Sequence, residues 1–502
     1  MKIAGLWNNH DCSFCVLENG IPTIHVELER YSREKEPKGD SYALFKQICK
    51  DENIDEWITA EGCFEDDHSF TNECYEIGHH QAHAANAFFS SNVKESLIIT
   101  LDGGGKDQGQ WTSVTIWKGV DNKIYPLNII PKEKLNIGNI WSRVTEQVFG
   151  LSTGYPYGHS AGTVMATTCL GNKDRYLKEF SENPYYFCDT WHLRTEKDDD
   201  QARHDVAAAL QQWTENLVKY IISDSLKKYT SKNLCLAGGV ALNCVMTTKL
   251  YDWFNFENIY VTPTPHDGGL CLGAAQYLWH HELDNPRIDW KDNFTPYLGQ
   301  VYTNELIHDT IKQYSDKIEI KKADEVDIIN LLDKQNIISV YGKGSESGRR
   351  ALGNRSILAD PRSDKMKGLI NEKVKHRQWF RPFAPSILRE EVGNWFEKDI
   401  DSPYMNFAVK FKEDMKDKVP AVVHLDGTGR IQTVTKNDNE WYYNLIKIWF
   451  EKTKVPILLN TSFNDREPIV ETPEDAIKCY LGTNIDYLYF RDINMLIYKK
   501  LI

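Results

Sequence analysis

The sequence predicts a two-domain chain, an α/β domain followed by a second α/β or α+β domain. Three observations support this: a length and apolar content too large for one core, a strand–turn–strand pattern that occurs twice early in the chain, and a change of texture after residue 298. With 502 residues and 41% apolar side chains there is material for two cores of ordinary size.

The repeat comes first. Residues 2–19, KIAGLWNNHDCSFCVLEN, and residues 96–118, SLIITLDGGGKDQGQWTSVTIWK, each read as an apolar strand, a polar Asp or Gly turn and a second strand. Two related halves facing each other, each offering a turn whose N–H groups can approach phosphate, are typical of the actin-like ATPase and sugar-kinase architecture. A third element, NLCLAGGVALNCVMTTKL (233–250), reads as a buried strand, a Gly-Gly turn and a helix whose N-terminus favours an anion. The first domain is placed at 1–298. The charged, irregular text of 299–328 reads as a bridging segment, and 329–502 as a compact second domain mixing strands and helices.

A net charge of −13 and a pI near 5.7 give no global field for a polyanion, so nucleic acid is a poor partner. No apolar run approaches the ~20 residues of a membrane span, and the start turns polar too early for a secretion signal, so a cytoplasmic protein is expected. The eleven cysteines are scattered, and the closest pair, Cys12 and Cys15, would face opposite ways on a strand; reduced thiols are expected.

Two constellations carry chemistry. In GHHQAHAANAFFSS (78–91), His79 and His83 are spaced i, i+4 and share one face of a predicted helix. Asp102 in LDGGG and Asp267 in TPHDGGLCLGAA stand on Gly turns beside strand ends, and two His with two Asp suit Fe²⁺ or another borderline divalent cation. In the second half, GRRALGNRSILADPR (348–362), NEKVKHRQWFRPFAPS (371–386), HLDGTGRIQTV (424–434) and LLNTSFN (458–464) concentrate Arg, Lys, Asn and Ser. Arg350, Arg355 and Arg381 sit among apolar residues there, which favours a pocket for a phosphate or carbamoyl anion.

Taken together and in order, HDCS, ERYSREK, HHQAHA, LDGGG, LAGGVALNC, HDGGLCLGAA, RALGNRSILADPR, VKHRQWFRPFAPS, HLDGTGRIQTV and NTSFN resemble the bacterial O-carbamoyltransferases of the nodulation-factor, cephamycin and tobramycin type, from about His10 to the C-terminus. The resemblance implies an actin-like, metal-binding first domain joined to a YrdC-like second domain. The second would make carbamoyl-adenylate from carbamoyl phosphate and ATP with Mg²⁺. The first would pass the carbamoyl group to a hydroxyl of a small acceptor, a sugar or secondary metabolite, releasing AMP.

By motif, Arg350, Lys375, Arg430 and Ser462 would hold carbamoyl phosphate, with Arg430 and Ser462 also acting in catalysis. Asn354, Arg355 and Asn460 are further candidates for the same pocket, and Asn354 and Arg355 would also serve the nucleotide. His79, His83, Asp102 and Asp267 would hold the metal, iron by resemblance. Lys35, Gly238, Gly239 and Asn243 would cradle the nucleotide in the first domain, and His10 would be the general base. Relatives carry E-G-K-x-M-G where this chain has SAGTVMAT (160–167), so Ala161 and Thr163 replace a carboxylate and a lysine and predict an unusual acceptor. A tRNA threonylcarbamoyladenosine-type enzyme and a nucleotide-binding protein without transfer activity are the competing readings; a homodimer is compatible with the sequence.

Overall fold

The computed structural model describes residues 1–50, 52–62, 74–155, 157–291 and 293–500. The chain is mixed α/β and divides into two compact units, Met1–Trp290 and Lys291–Ile502.

The first unit contains two five-stranded sheets. One is built from β1 (Lys2–Trp7), β2 (Ser13–Glu18), β3 (Ile21–Glu27), β4 (Glu56–Ala60) and β5 (Tyr75–Ile77), in the order β3-β2-β1-β4-β5. The other is built from β6 (Glu95–Asp107), β7 (Gln110–Val120), β8 (Lys123–Pro131), β9 (Asn233–Ala237) and β10 (Asn258–Val261), in the order β8-β7-β6-β9-β10. In each sheet the first three strands form an antiparallel meander, and the last two lie parallel to the first. The topologies are identical. The repeated segments read from the sequence are β1–β2 and β6–β7, the same two positions in each sheet.

Central strands explain the unbroken apolar runs. β1 and β9 are flanked on both sides, so nearly every side chain is buried, as parallel pairing covered on both faces requires. Helix α1 (His79–Phe89) lies against β6, and α4 (Leu270–Tyr277) against β1. These helices meet at Gly273, where a Cβ would come within 1.9 Å of the Ala82 carbonyl oxygen, so only glycine permits this approach. Two further helices, α2 (Asp200–Lys228) and α3 (Cys244–Trp253), pack together.

The second unit holds one nine-stranded mixed sheet: β11 (Ile318–Lys322), β12 (Ile338–Tyr341), β13 (Arg355–Ala359), β14 (Ala384–Leu388), β15 (Phe407–Lys410), β16 (Thr428–Val434), β17 (Ile457–Ser462), β18 (Tyr487–Phe490) and β19 (Met495–Lys499), ordered β11-β19-β18-β12-β13-β17-β14-β16-β15. Helices α5 (Glu325–Asp333) and α7 (Glu440–Thr453) bury Ile328, Leu332, Leu445 and Trp449 against Val340, Leu358 and Leu458. Within 299–328 the structure places a helix, Asn304–Gln313, then edge strand β11 and the start of α5. Exposed Lys321 and Lys322 on β11 are the kind of charge that keeps a free sheet edge from pairing with another chain.

Among the described residues, no helix is long and apolar enough to cross a membrane, and ten cysteines are free. Cys63 lies outside the described residues.

Candidate functional site

The first unit brings two loops and one helix to a common point. Helix α1 begins at Gly78, which has no side chain with which to cap it. Asp107, at the far end of β6, does so instead: its carboxylate accepts from the N–H groups of His80 and Gln81, both at 3.2 Å, and from Thr112 Oγ1 at 2.8 Å. This fixes the helix register so that His79 and His83 face Asp102 on the same strand. His83 Nε2 lies 2.9 Å from Asp102 Oδ2 and 3.4 Å from Asp267 Oδ1; the corresponding distances from His79 Nε2 are 3.5 and 3.6 Å.

These four donor atoms all lie within 4.8 Å of one another, and the three residues other than Asp102 are buried. Two imidazoles and two carboxylates in such a cluster are a donor set suited to a divalent cation of borderline softness. Burial opposes a charged His83, but its hydrogen bonds to Asp102 and Asp267 and their charges prevail and raise its pKa to about 9. The neighbouring His80 belongs to the scaffold. Its ring nitrogens meet Thr100 Oγ1 at 2.9 Å and the Thr112 carbonyl at 3.2 Å, and burial lowers its pKa to about 3.

Gly238 and Gly239 adjoin this cluster. Gly238 has φ +89°, and a Cβ there would come within 2.1 Å of the Leu101 carbonyl oxygen; at Gly239 the nearest atom to a Cβ is Asp102 Oδ1, at 3.4 Å. His10 stands on the turn after β1, its Nε2 3.2 Å from Asp267 Oδ2 and its Nδ1 3.2 Å from Asp11 Oδ2. Partial desolvation opposes its charge, but the Asp267, Asp11 and Asp102 carboxylates beside its half-exposed ring raise its pKa to about 10.

In the second unit, Lys375 is buried and donates from Nζ to the Ser462 carbonyl (2.5 Å), the Asn464 carbonyl (2.7 Å) and Asn464 Oδ1 (2.6 Å), with Ser462 Oγ at 3.3 Å. Ser462 Oγ in turn donates to Asn464 Oδ1 at 2.7 Å. The next residue, His376, takes a left-handed φ of +44° and pairs with Asp465 at 3.0 Å. Helix α6 (Asp364–Lys373) contributes Asn371, whose Oδ1 accepts from Arg377 Nε at 2.7 Å.

Arg377, Arg381 and Arg430 form a cationic cluster. Desolvation, then the charges of Arg381 and Arg430, push the Arg377 pKa well down; desolvation and Arg430 also lower that of Arg381. His424 beside them is lowered to about 4 by burial and by Arg430 and Lys367, against Asp426. Guanidiniums that disfavour one another in a poorly solvated place are an environment in which an anion is stabilised.

The chain's likeness to known proteins agrees with this division. Family models described as carbamoyltransferase N-terminus and carbamoyltransferase C-terminus match residues 60–276 and 329–498. Nodulation protein NolO of Bradyrhizobium diazoefficiens is 34% identical over 439 residues, covering 82% of this chain and 77% of that protein. The chain belongs to the carbamoyltransferase family. An uncharacterized protein of Methanocaldococcus jannaschii is 28% identical over 526 residues, covering 97% of the carbamoyltransferase and 98% of the relative. Among solved structures, the activator of 2-hydroxyisocaproyl-CoA dehydratase from Clostridium difficile covers 57% of the chain at 17% identity with a TM-score of 0.35, and HypF from T. kodakarensis covers 56% at 13% identity with a TM-score of 0.37.

The other residues expected at the carbamoyltransferase's sites have definite surroundings. Asn243 caps α3 through Met246 N (3.0 Å) and donates to Gln211 of α2 (2.8 Å). Lys35 bridges to Tyr157 through its backbone and runs beside Gly158. Thr163 is buried and Ala161 half-buried on the short helix Ala161–Thr167, whose first N–H donates to His159 Nδ1 at 3.1 Å.

Arg355 is fully buried over the Tyr341 ring, 3.7 Å from its centroid. It donates to the carbonyls of Gly342 (2.7 Å), Lys343 (3.0 Å), Asn354 (3.2 Å) and Glu471 (3.3 Å). Asn354 donates to Gly344 O, and its backbone N–H to Glu346 Oε1, both at 2.7 Å. Asn460 joins Ser386 and Gln432 in a buried polar network beneath Ala351. Arg350 is half-buried in the loop between β12 and β13.

Sequence reasoning did not single out Asp107, Asn371, Arg377, Glu346 or Asn464. Asp107, Asn371, Arg377 and Asn464 lie inside quoted segments, but nothing in the text marks them above their neighbours. Asp107 caps a helix from another strand, a relation with no local signature.

Proposed function

We propose that this carbamoyltransferase first makes carbamoyl-adenylate and then delivers its carbamoyl group to the hydroxyl of a small molecule. The observation that carries the reading is the mutual approach of Arg377, Arg381 and Arg430, with Arg377 two residues along the chain from Lys375, in the unit matched by the carbamoyltransferase C-terminus. The YrdC-like reading of this unit belongs to the same proposal.

Water releases phosphate from carbamoyl phosphate, a carbamate oxygen attacks the α-phosphorus of ATP, and pyrophosphate leaves. Arg350, Arg430 and Ser462 bind the carbamoyl phosphate oxygens, Lys375 holds the 462–464 loop in place, and the arginines offset the charge that builds on the phosphoryl group. Asn354 and Arg355 fix the loop beneath the nucleotide.

In the first unit, the duplicated sheets support the actin-like reading. Lys35, Gly238, Gly239 and Asn243 line or brace the nucleotide cradle. A divalent ion, iron in this proposal, held by His79, His83, Asp102 and Asp267 would supply positive charge for phosphate oxygens. With a divalent cation offsetting the Asp102 and Asp267 charges that otherwise keep its ring protonated, His10 would take the proton as the acceptor oxygen attacks the carbamoyl carbon and AMP departs. The acceptor is a sugar or secondary metabolite whose pocket is shaped by Ala161 and Thr163.

The test is anaerobic incubation with Fe²⁺, Mg²⁺, ATP and carbamoyl phosphate, followed by mass spectrometry for carbamoyl-AMP and an assay of pyrophosphate. Wild type should form both, and Arg430→Ala and Ser462→Ala neither. A wild-type protein that releases no pyrophosphate sinks the reading.

A further inference from the structure

We propose that the indole of Trp379 is the platform on which the adenine ring of ATP stacks in the second unit; this rests on the reading that this unit takes ATP. Trp379 is 67% exposed, unusual for the side chain with the largest apolar surface. The exposure does not come from a loose loop. Buried Asn371 donates to the carbonyls of Trp379 (3.3 Å) and Arg381 (3.0 Å), and its own carbonyl accepts from Arg377 N at 3.0 Å. Arg381 N closes the turn on Gln378 O at 3.2 Å. Asn371, through its side chain and its main-chain carbonyl together, thus grips the chain at Trp379 and on both sides of it, while the indole projects outward.

Its position gives that projection a meaning. Trp379 lies midway in sequence between Arg377 and Arg381, two members of the cationic cluster. Phe380 is near-perpendicular to it, with ring centroids 6.0 Å apart and an interplanar angle of 81°, so the two rings do not stack on each other. A nucleotide has the matching shape: a polyanion at one end and, one ribose away, a flat ring. Phosphates on the arginines and base on the indole satisfy both ends, and stacking on an aromatic face is sequence-tolerant and favourable. No other residue of the segment offers a free flat surface of that size.

The test compares wild type with Trp379→Ala and Trp379→Phe, using ATP and inorganic tripolyphosphate, which keeps the charge and lacks the base. In Trp379→Ala the KM for ATP in pyrophosphate release should rise about 10-fold, with the KM for carbamoyl phosphate and the inhibition constant of tripolyphosphate within about twofold; Trp379→Phe should recover most of the loss. Independently of turnover, ATP should quench a fluorescence component that wild type has and Trp379→Phe lacks, and tripolyphosphate should not. An unchanged KM for ATP, a parallel loss of tripolyphosphate inhibition, or no ATP-dependent difference between wild-type and Trp379→Phe fluorescence overturns the proposal. Absence of pyrophosphate from wild type would instead overturn adenylate formation, leaving the fluorescence comparison to decide the stacking.

Discussion

His83 Nε2 lies 2.9 Å from Asp102 Oδ2, an imidazole from helix α1 against a carboxylate from β6. Both side chains also face His79 and Asp267, so removing either leaves three donors. His83→Ala and Asp102→Ala should each weaken divalent metal binding by about 100-fold or more, since even outer-shell changes cost 10–100-fold. Metal content after dialysis, by elemental analysis, checks this; full retention in both variants would show that the cluster is not the metal site. Pyrophosphate release by the second unit should persist.

Gly105 tests how the cluster is held. A Cβ at this position would fall 2.1 Å from the His79 ring, which cannot yield without turning away from Asp102 and Asp267. Gly105→Ala should therefore lower stability by roughly 1–3 kcal/mol, the usual cost of overpacking, and lower metal occupancy as well. Thermal unfolding with metal analysis checks both. A fall in Tm at full occupancy would mean that His79 is dispensable as a ligand.

How far the sequence discloses these features depends on how local their causes are. The i, i+4 spacing of His79 and His83 and the duplicated β1–β2 and β6–β7 patterns are written in adjacent residues; the turn expected at LDGGG is instead a stretch of β6 whose register shifts between Leu101 and Gly105, and from that strand Asp102 meets His79, His83 and Asp267. Segment 299–328 reads as a bridge because β11 is an edge strand with charged outward residues, so its alternation is too weak to mark a strand. Arg355 and Asn354 look like ligand-facing residues in the text, yet Arg355 Nη1 and Nη2 and the Asn354 amide are engaged with loop carbonyls and buried partners. A single sequence does not distinguish an arginine that meets a ligand from one that stitches a loop, because both sit in the same apolar surroundings.

Lys375 is the test of loop stitching in the second unit. Its ammonium lies within 3.3 Å of four oxygens, a geometry that fits a compact point charge and not a planar fork. Lys375→Met should leave buried oxygens without a donor, at about 1–3 kcal/mol for each one left unmet, and abolish pyrophosphate release. Lys375→Arg should fail to rescue either property. Rescue by arginine, read in Tm and turnover together, would mean that charge alone suffices.

A pH dependence follows from His280, which is assigned no part in either reaction. Its ring is 1% exposed and 4.7 Å from that of Phe89. Burial lowers its pKa to about 4, against the Asn285 carbonyl and with help from Arg287. The unfolded chain titrates near 6.5, so between about 4 and 6.5 the unfolded state binds a proton that the folded state refuses. Stability is therefore lost as pH falls through that window, by at most roughly 3 kcal/mol from this residue. His280→Phe removes the titration while keeping a ring of similar shape. Denaturant unfolding at pH 7, 5.5 and 4.5 should show wild type losing more stability than the variant over the series. Parallel losses in the two proteins would show that His280 takes up its proton without unfolding.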